Sequence, residues 1–133
     1  MQTAYEMVWL SAQRTPNHTA LIDDQTDRFL TYAEMITEID IIAAGLRERG
    51  ICQGDRVATI LPSLFEHYLL LLALQRLCAI PALINFRLKP EEIAKLIANG
   101  AIRAAVILSN EGLFKVVQNV LPSNGIVLVI GEE

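Results

Sequence analysis

The sequence has little of what marks several large protein classes. It holds only 2 cysteines, Cys52 and Cys78, far apart and without a C-x-x-C pair. That excludes a disulfide framework and reads as two reduced, partly buried thiols of a cytosolic protein. Its 2 histidines, His18 and His67, stand away from any cysteine, histidine or carboxylate pattern, so no protein-held metal is expected. Positive charge is in the minority: 11 Lys and Arg against 15 Asp and Glu leave a net charge of −4. A nucleic-acid surface needs a basic stripe, so no nucleic-acid partner is expected. No run of like charges exceeds two, which leaves no electrostatic arm. Long apolar runs are also missing. The longest, Tyr68 to Leu74, meets Gln75 and Arg76, and Pro81 interrupts the apolar stretch beyond them. A spanning helix needs about 20 apolar residues, so no membrane span is expected. The opening MQTAYEMVWL contains Glu6 and no leading basic residue, unlike a secretory signal. The expected location is the cytoplasm.

What is present is a well-patterned apolar chain. With 133 residues, 53% of them hydrophobic, it should bury an ordinary core, and residues 1–133 are read as a single domain. Tyr5 to Gln13 reads as a short amphipathic helix with Met7, Val8 and Leu10 toward the core. Ala20 to Asp23 and Arg28 to Thr31 read as a hairpin around the turn DQTD, where aspartate suits local hydrogen bonding. Thr31 opens the clearest helix: T-Y-A-E is a capping box, Ile36, Ile39, Ile42, Ala43 and Leu46 make an apolar stripe, and Gly50 ends it.

Strand and helix then alternate. Strands are predicted at Arg56–Leu61, Ile80–Ile84, Ala104–Leu108 and Ile126–Ile130. Helices are predicted at Leu64–Leu77, from Pro90 to a stop at Gly100 with a stripe of Ile93, Leu96 and Ile97, and at Glu111–Val120. Strands apolar on both faces, separated by helices, are the mark of βαβ units, hence an α/β fold with a parallel sheet and flanking helices. Trp9, Phe65 and Phe114 are read as core.

Catalytic patterns are absent. The only G-x-x-x-x-G, Gly45 to Gly50, is followed by Ile51-Cys52 where a phosphate loop requires lysine and a hydroxyl residue. There is no G-x-G-x-x-G and no G-x-S-x-G. Ser63 and His67 are four apart, but Ser63 reads as the start of a helix after Pro62, with no third member of a triad. Asp23 and Asp24 read as turn residues. The residue that stands out is Arg87, where the apolar strand ending at Ile84 meets the helix opening at Pro90. Ligands of open α/β sheets bind at that edge, and a guanidinium suits phosphate. A solvated loop charge is the plain alternative.

In order, the segments RTPNHTALID, LTYAEM, GDRVATILP, LQRLCAIPALINFRLK and AAVILS resemble the opening segment of the adenylate-forming (AMP-binding) acyl- and aryl-CoA ligases, the 4-chlorobenzoate–CoA ligase type most of all. The shared patterns are T-P-x-x-x-A-L, L-T-Y-x-E-L, G-D-R-V-A-x-x-x-P and L-x-R-x-G-A followed by N-x-R-L. Cys78 stands where the pattern has glycine, Phe86 where proline is common, and Ser63 where asparagine is frequent. The resemblance implies a partial N-terminal subdomain of an enzyme that joins a small carboxylic acid to ATP, with Mg²⁺, and passes the acyl group from the adenylate to coenzyme A. It implies that Arg87 meets the 3′-phosphate of coenzyme A. The family's phosphate loop, acyl pocket and catalytic motifs lie beyond the matched segments, so catalytic residues are expected to be none, and this chain alone is expected to be inactive. Its partners would be the remainder of the ligase or a second copy in a homodimer. The alternative is a stand-alone, self-associating, non-catalytic α/β module that binds a nucleotide or a protein.

Overall fold

The computed structural model describes residues 3–130. They fall into two compact units, one of residues up to 49 together with 63–78, the other of 50–62 together with those from 79 onward.

The first unit is mainly helical. Helix α1 (Ala4–Arg14) begins at a capping box in which the Thr3 side chain accepts the Glu6 N–H and the Glu6 carboxylate accepts the Thr3 N–H. Strands β1 (Thr19–Ile22) and β2 (Phe29–Thr31) pair antiparallel, as the hairpin reading required. Asp23 accepts the Gln25 N–H at 3.0 Å and Asp27 takes φ 58°, so the aspartates of this loop shape a turn. Helix α2 (Tyr32–Glu48) has the predicted box: Glu34 N–H to the Thr31 hydroxyl at 3.2 Å, Thr31 N–H to the Glu34 carboxylate at 2.9 Å. Helix α3 (Phe65–Arg76) is the third.

These helices are tied by a polar cluster. Arg76 on α3 donates to the Asp40 carboxylate on α2 at 2.7 Å and lies 5.7 Å from the ring centroid of Tyr5 on α1. The Tyr5 N–H donates to Gln75 at 3.0 Å. Desolvation raises the Tyr5 phenol pKa, and the hydrogen bond to Asp40 raises that of Arg76. Both keep their ordinary charge at neutral pH, so this is a structural joint.

The second unit is a parallel sheet of four strands in the order β4-β3-β5-β6: β3 (Arg56–Ile60), β4 (Ile80–Leu83), β5 (Ala104–Leu108) and β6 (Ile126–Ile130). Helices α4 (Pro90–Asn99) and α5 (Glu111–Val120) pack on each other. Ala58, Ile60, Ala105 and Ile107 join Ile93, Ile97 and Val117 in its core. Pro90 occupies the first turn of α4 as read from the sequence, where its missing N–H costs nothing.

Several sequence expectations are corrected. Apolar burial on both faces holds for the central strands β3 and β5 but not for the edge strands β4 and β6, whose residues are mostly half-exposed. An edge strand has only one neighbouring strand, so its side chains are covered from one flank. Both cysteines are exposed rather than partly buried. On α1, Met7 faces out and Ala12 is the buried residue. Trp9 is 44% exposed, and Phe65 and Phe114 are half-buried, so none is a full core residue. On α2 the buried stripe is Met35, Ile39, Ala43 and Leu46, with Ile36 and Ile42 at its margin. Leu96 lies off the α4 stripe and is 49% exposed. Ser63 does not cap α3, which follows Leu64 and has no side-chain cap; with Ser63 outside the helix, it and His67 share no helix face.

Candidate functional site

The polar residues of the sequence motifs can be sorted by what they touch. Thr31 and Glu34 of L-T-Y-x-E close a helix N-terminus. In G-D-R-V, Gly54 takes φ 85°, a conformation open to glycine, and brings Asp55 back over its own loop. The Asp55 carboxylate accepts the Cys52 N–H at 2.7 Å and pairs with Arg103 at 3.1 Å. Arg103 also donates to the Gly50 carbonyl at 3.2 Å, and Arg56 donates to the Gly100 carbonyl at 3.1 Å. These groups lie at the N-terminal ends of β3 and β5, where they join the loops leading into the sheet. In L-x-R-x-G-A, Arg76 is the arginine already committed to Asp40. Cys78 stands at the glycine position with φ 58°, so the pattern's glycine marks a left-handed helix stop that cysteine fills at a steric cost.

The N-x-R-L corner divides differently. Three of its residues build a turn between β4 and α4. The Asn85 side-chain oxygen accepts the Arg87 N–H at 2.9 Å, and the Leu88 N–H donates to the Asn85 carbonyl at 3.2 Å. Leu88 packs partly buried against the core of the unit. Glu92 accepts the Lys89 N–H at 3.4 Å, helping to start α4. Lys89 has no oxygen with which to cap, so that contact runs one way.

Arg87 itself is exposed, on the C-terminal side of edge strand β4. Its guanidinium lies 5.6 Å from the ring centroid of Phe86. Among the described residues it forms no ion pair, although Glu91 and Glu92 stand in the next helical turn. It thus presents a charged fork, on a backbone pinned by Asn85, with its in-plane donors unspent on carboxylate. That arrangement can receive an anion of planar or tetrahedral oxygen geometry.

Elsewhere the unit has shallow hollows, lined for example by Arg56, Ile80, Leu83 and Leu96, and none of these includes Arg87. No group of three or more His, Cys, Asp or Glu among the described residues could hold a metal ion. None of the helices among them is long and apolar enough to cross a membrane. The structural duty of Asp55, Arg56 and Arg103 is not among the sequence expectations. The signal that could have found it is charge pattern at strand starts, since all three lie just before or at the first residue of a parallel strand.

Comparison with known proteins agrees with this fold. The AMP-binding enzyme family matches residues 8–131. The chain is 41% identical over 112 residues to a 4-chlorobenzoate–CoA ligase of Arthrobacter, a match covering 84% of this chain and 22% of that protein. It is 36% identical over 111 residues to 4-coumarate–CoA ligase 4 of Arabidopsis thaliana, covering 84% of this chain and 19% of the relative. The chain therefore spans about a fifth of the length of these relatives. In fold it is similar to the N-terminal domain of FACL13 from Mycobacterium tuberculosis, with TM-score 0.86 and 23% identity over 97% of this chain and 34% of that one. It is also similar to the NpsA N-terminal subdomain of Klebsiella oxytoca in complex with 3-hydroxybenzoyl-AMSN, with TM-score 0.80 and 24% identity over 97% of this chain and 30% of that one.

Proposed function

Because the chain belongs to the AMP-binding enzyme family, we propose that it works as the opening part of an ATP-dependent acyl- or aryl-CoA ligase, in which Arg87 receives the 3′-phosphate of coenzyme A. The parent reaction activates a small carboxylic acid as its adenylate and then transfers the acyl group to the coenzyme thiol. One observation carries the assignment of Arg87. Of the motif arginines, Arg56 donates to the Gly100 carbonyl and Arg76 to the Asp40 carboxylate inside their own units, whereas among the described residues the Arg87 guanidinium has neither a hydrogen bond nor an ion pair.

The chemistry left to this chain is binding and positioning. The guanidinium stays charged at every physiological pH, and a phosphate dianion satisfies two of its donors at once. Such a contact lies far from any reacting atom, so it acts through coenzyme affinity. No residue of the chain is assigned a bond-making step, and none of its carboxylates is assigned to magnesium. By itself the chain neither adenylates nor forms thioesters.

The test is an Arg87→Ala change in the complete ligase. The expected result is a KM for coenzyme A raised about ten-fold or more, from loss of a charge-assisted hydrogen bond of about 1.5–3 kcal/mol, with the KM for ATP unmoved. Equal effects on both substrates would sink the assignment. An intact mass of the native gene product well above 14.8 kDa, with carboxylate-dependent AMP release, is the expected result for the ligase reading.

A further inference from the structure

At the corner, the residue beside Arg87 departs from the pattern in a way that bears on it. Phe86 stands where the resembling sequences commonly carry proline. Phe86 is 40% exposed, and the Arg87 guanidinium lies over its ring, 5.6 Å from the centroid. Proline offers no aromatic face. We propose that Phe86 is a positioning residue for Arg87, holding the guanidinium over its ring so that the corner presents an oriented anion-binding fork before the anion arrives. This rests on the reading of Arg87 as the phosphate contact.

The geometry makes the two roles compatible. A guanidinium attracted to a ring through its planar face keeps its N–H donors in the plane, pointing outward. A contact made through that face uses none of the hydrogen bonds that a phosphate needs. The backbone beneath is already restrained, because Asn85 holds the Arg87 N–H at 2.9 Å. With both backbone and side chain restrained, less freedom is lost on binding. An exposed contact of this kind biases the population about two- to five-fold, and that is the size of effect to seek.

The experiment uses the 133-residue chain, isotope-labelled, with coenzyme A and 3′-dephospho-coenzyme A as probes. In the free chain, Phe86→Ala should move the Arg87 side-chain NMR signals toward unstructured values, while Phe86→Tyr should keep them. In titrations, Phe86→Ala should weaken coenzyme A about two- to five-fold, leave dephospho-coenzyme A unchanged, and have no further effect once Arg87→Ala is present. Phe86→Leu, similar in bulk without the π face, should behave like the alanine variant and guards against loss of packing. Unmoved Arg87 signals in the alanine and leucine variants would overturn the proposal, as would equal weakening of both probes. If Arg87→Ala leaves the preference for coenzyme A over its dephospho form intact, the phosphate reading fails instead, and the free-chain signals still decide whether Phe86 orients Arg87.

Discussion

The two ends of the parallel sheet use the same kinds of charged side chain for opposite purposes. At the N-terminal end, Asp55 and Arg103 are paired at 3.1 Å with side chains only 19% and 24% exposed, and both also bond to backbone. At the C-terminal end, Arg87 is exposed, and among the described residues its guanidinium lies over an aromatic ring and forms no ion pair. In the first place each charge has its partner within the unit, and the result is stability. In the second, Asn85 and Leu88 do the structural work, which leaves the arginine free to answer to something outside. A motif residue points to function only after its structural partners have been counted.

The contrast can be broken most severely at Asp55. Replacing it with alanine strands Arg103 and the Cys52 N–H together, and should cost about 2–3 kcal/mol in urea unfolding. A loss below about 0.5 kcal/mol would place the pair among ordinary surface contacts. Arg87→Ala should do the reverse, changing stability by no more than about 0.5 kcal/mol while weakening coenzyme A binding about ten-fold or more. A large stability loss there would erase the difference between the ends. At the end of α3, Cys78→Gly should stabilise the chain by about 0.5–1 kcal/mol, since the left-handed backbone at φ 58° costs cysteine more than glycine's extra unfolded freedom returns. Thermal unfolding of the parent chain and the glycine variant measures this.

The smallest effect concerns pH. The Thr31 backbone N–H, and then its side chain, hold the Glu34 carboxyl below its ordinary 4.5. A depressed folded-state pKa means that the unfolded chain binds the proton more tightly. The capping box therefore contributes fully above the unfolded value, and its contribution fades as pH falls through the lower folded value. Glu34→Gln should flatten that part of the stability profile, and an identical acid slope in both chains would count against it.

Much of this is legible in the sequence. The box at Thr31, the turn at Asp24–Asp27, the strands Ala104–Leu108 and Ile126–Ile130 and the helix Glu111–Val120 are local: they depend on spacing, capping chemistry and apolar period, and the structure has them with the predicted bounds or within a residue or two. The same T-x-x-E signal stands at Thr3, where the sequence reading passes over it. Burial is less legible. Met7, Trp9, Leu96 and both cysteines are apolar or soft residues that end exposed, because which face of a helix meets the core depends on neighbours that no local window contains.

The alternation of strand and helix, the helix starts and stops and, through the ordered motifs, the family were all decided within the sequence. Those properties depend on residues a few positions apart. Which charges are spent and which are free was settled only by packing. Arg103 lies 48 residues from Asp55, and Arg76 lies 36 from Asp40. Pairing at such separations exists only once strands and helices are packed, and among the described residues Arg87 is paired with no carboxylate.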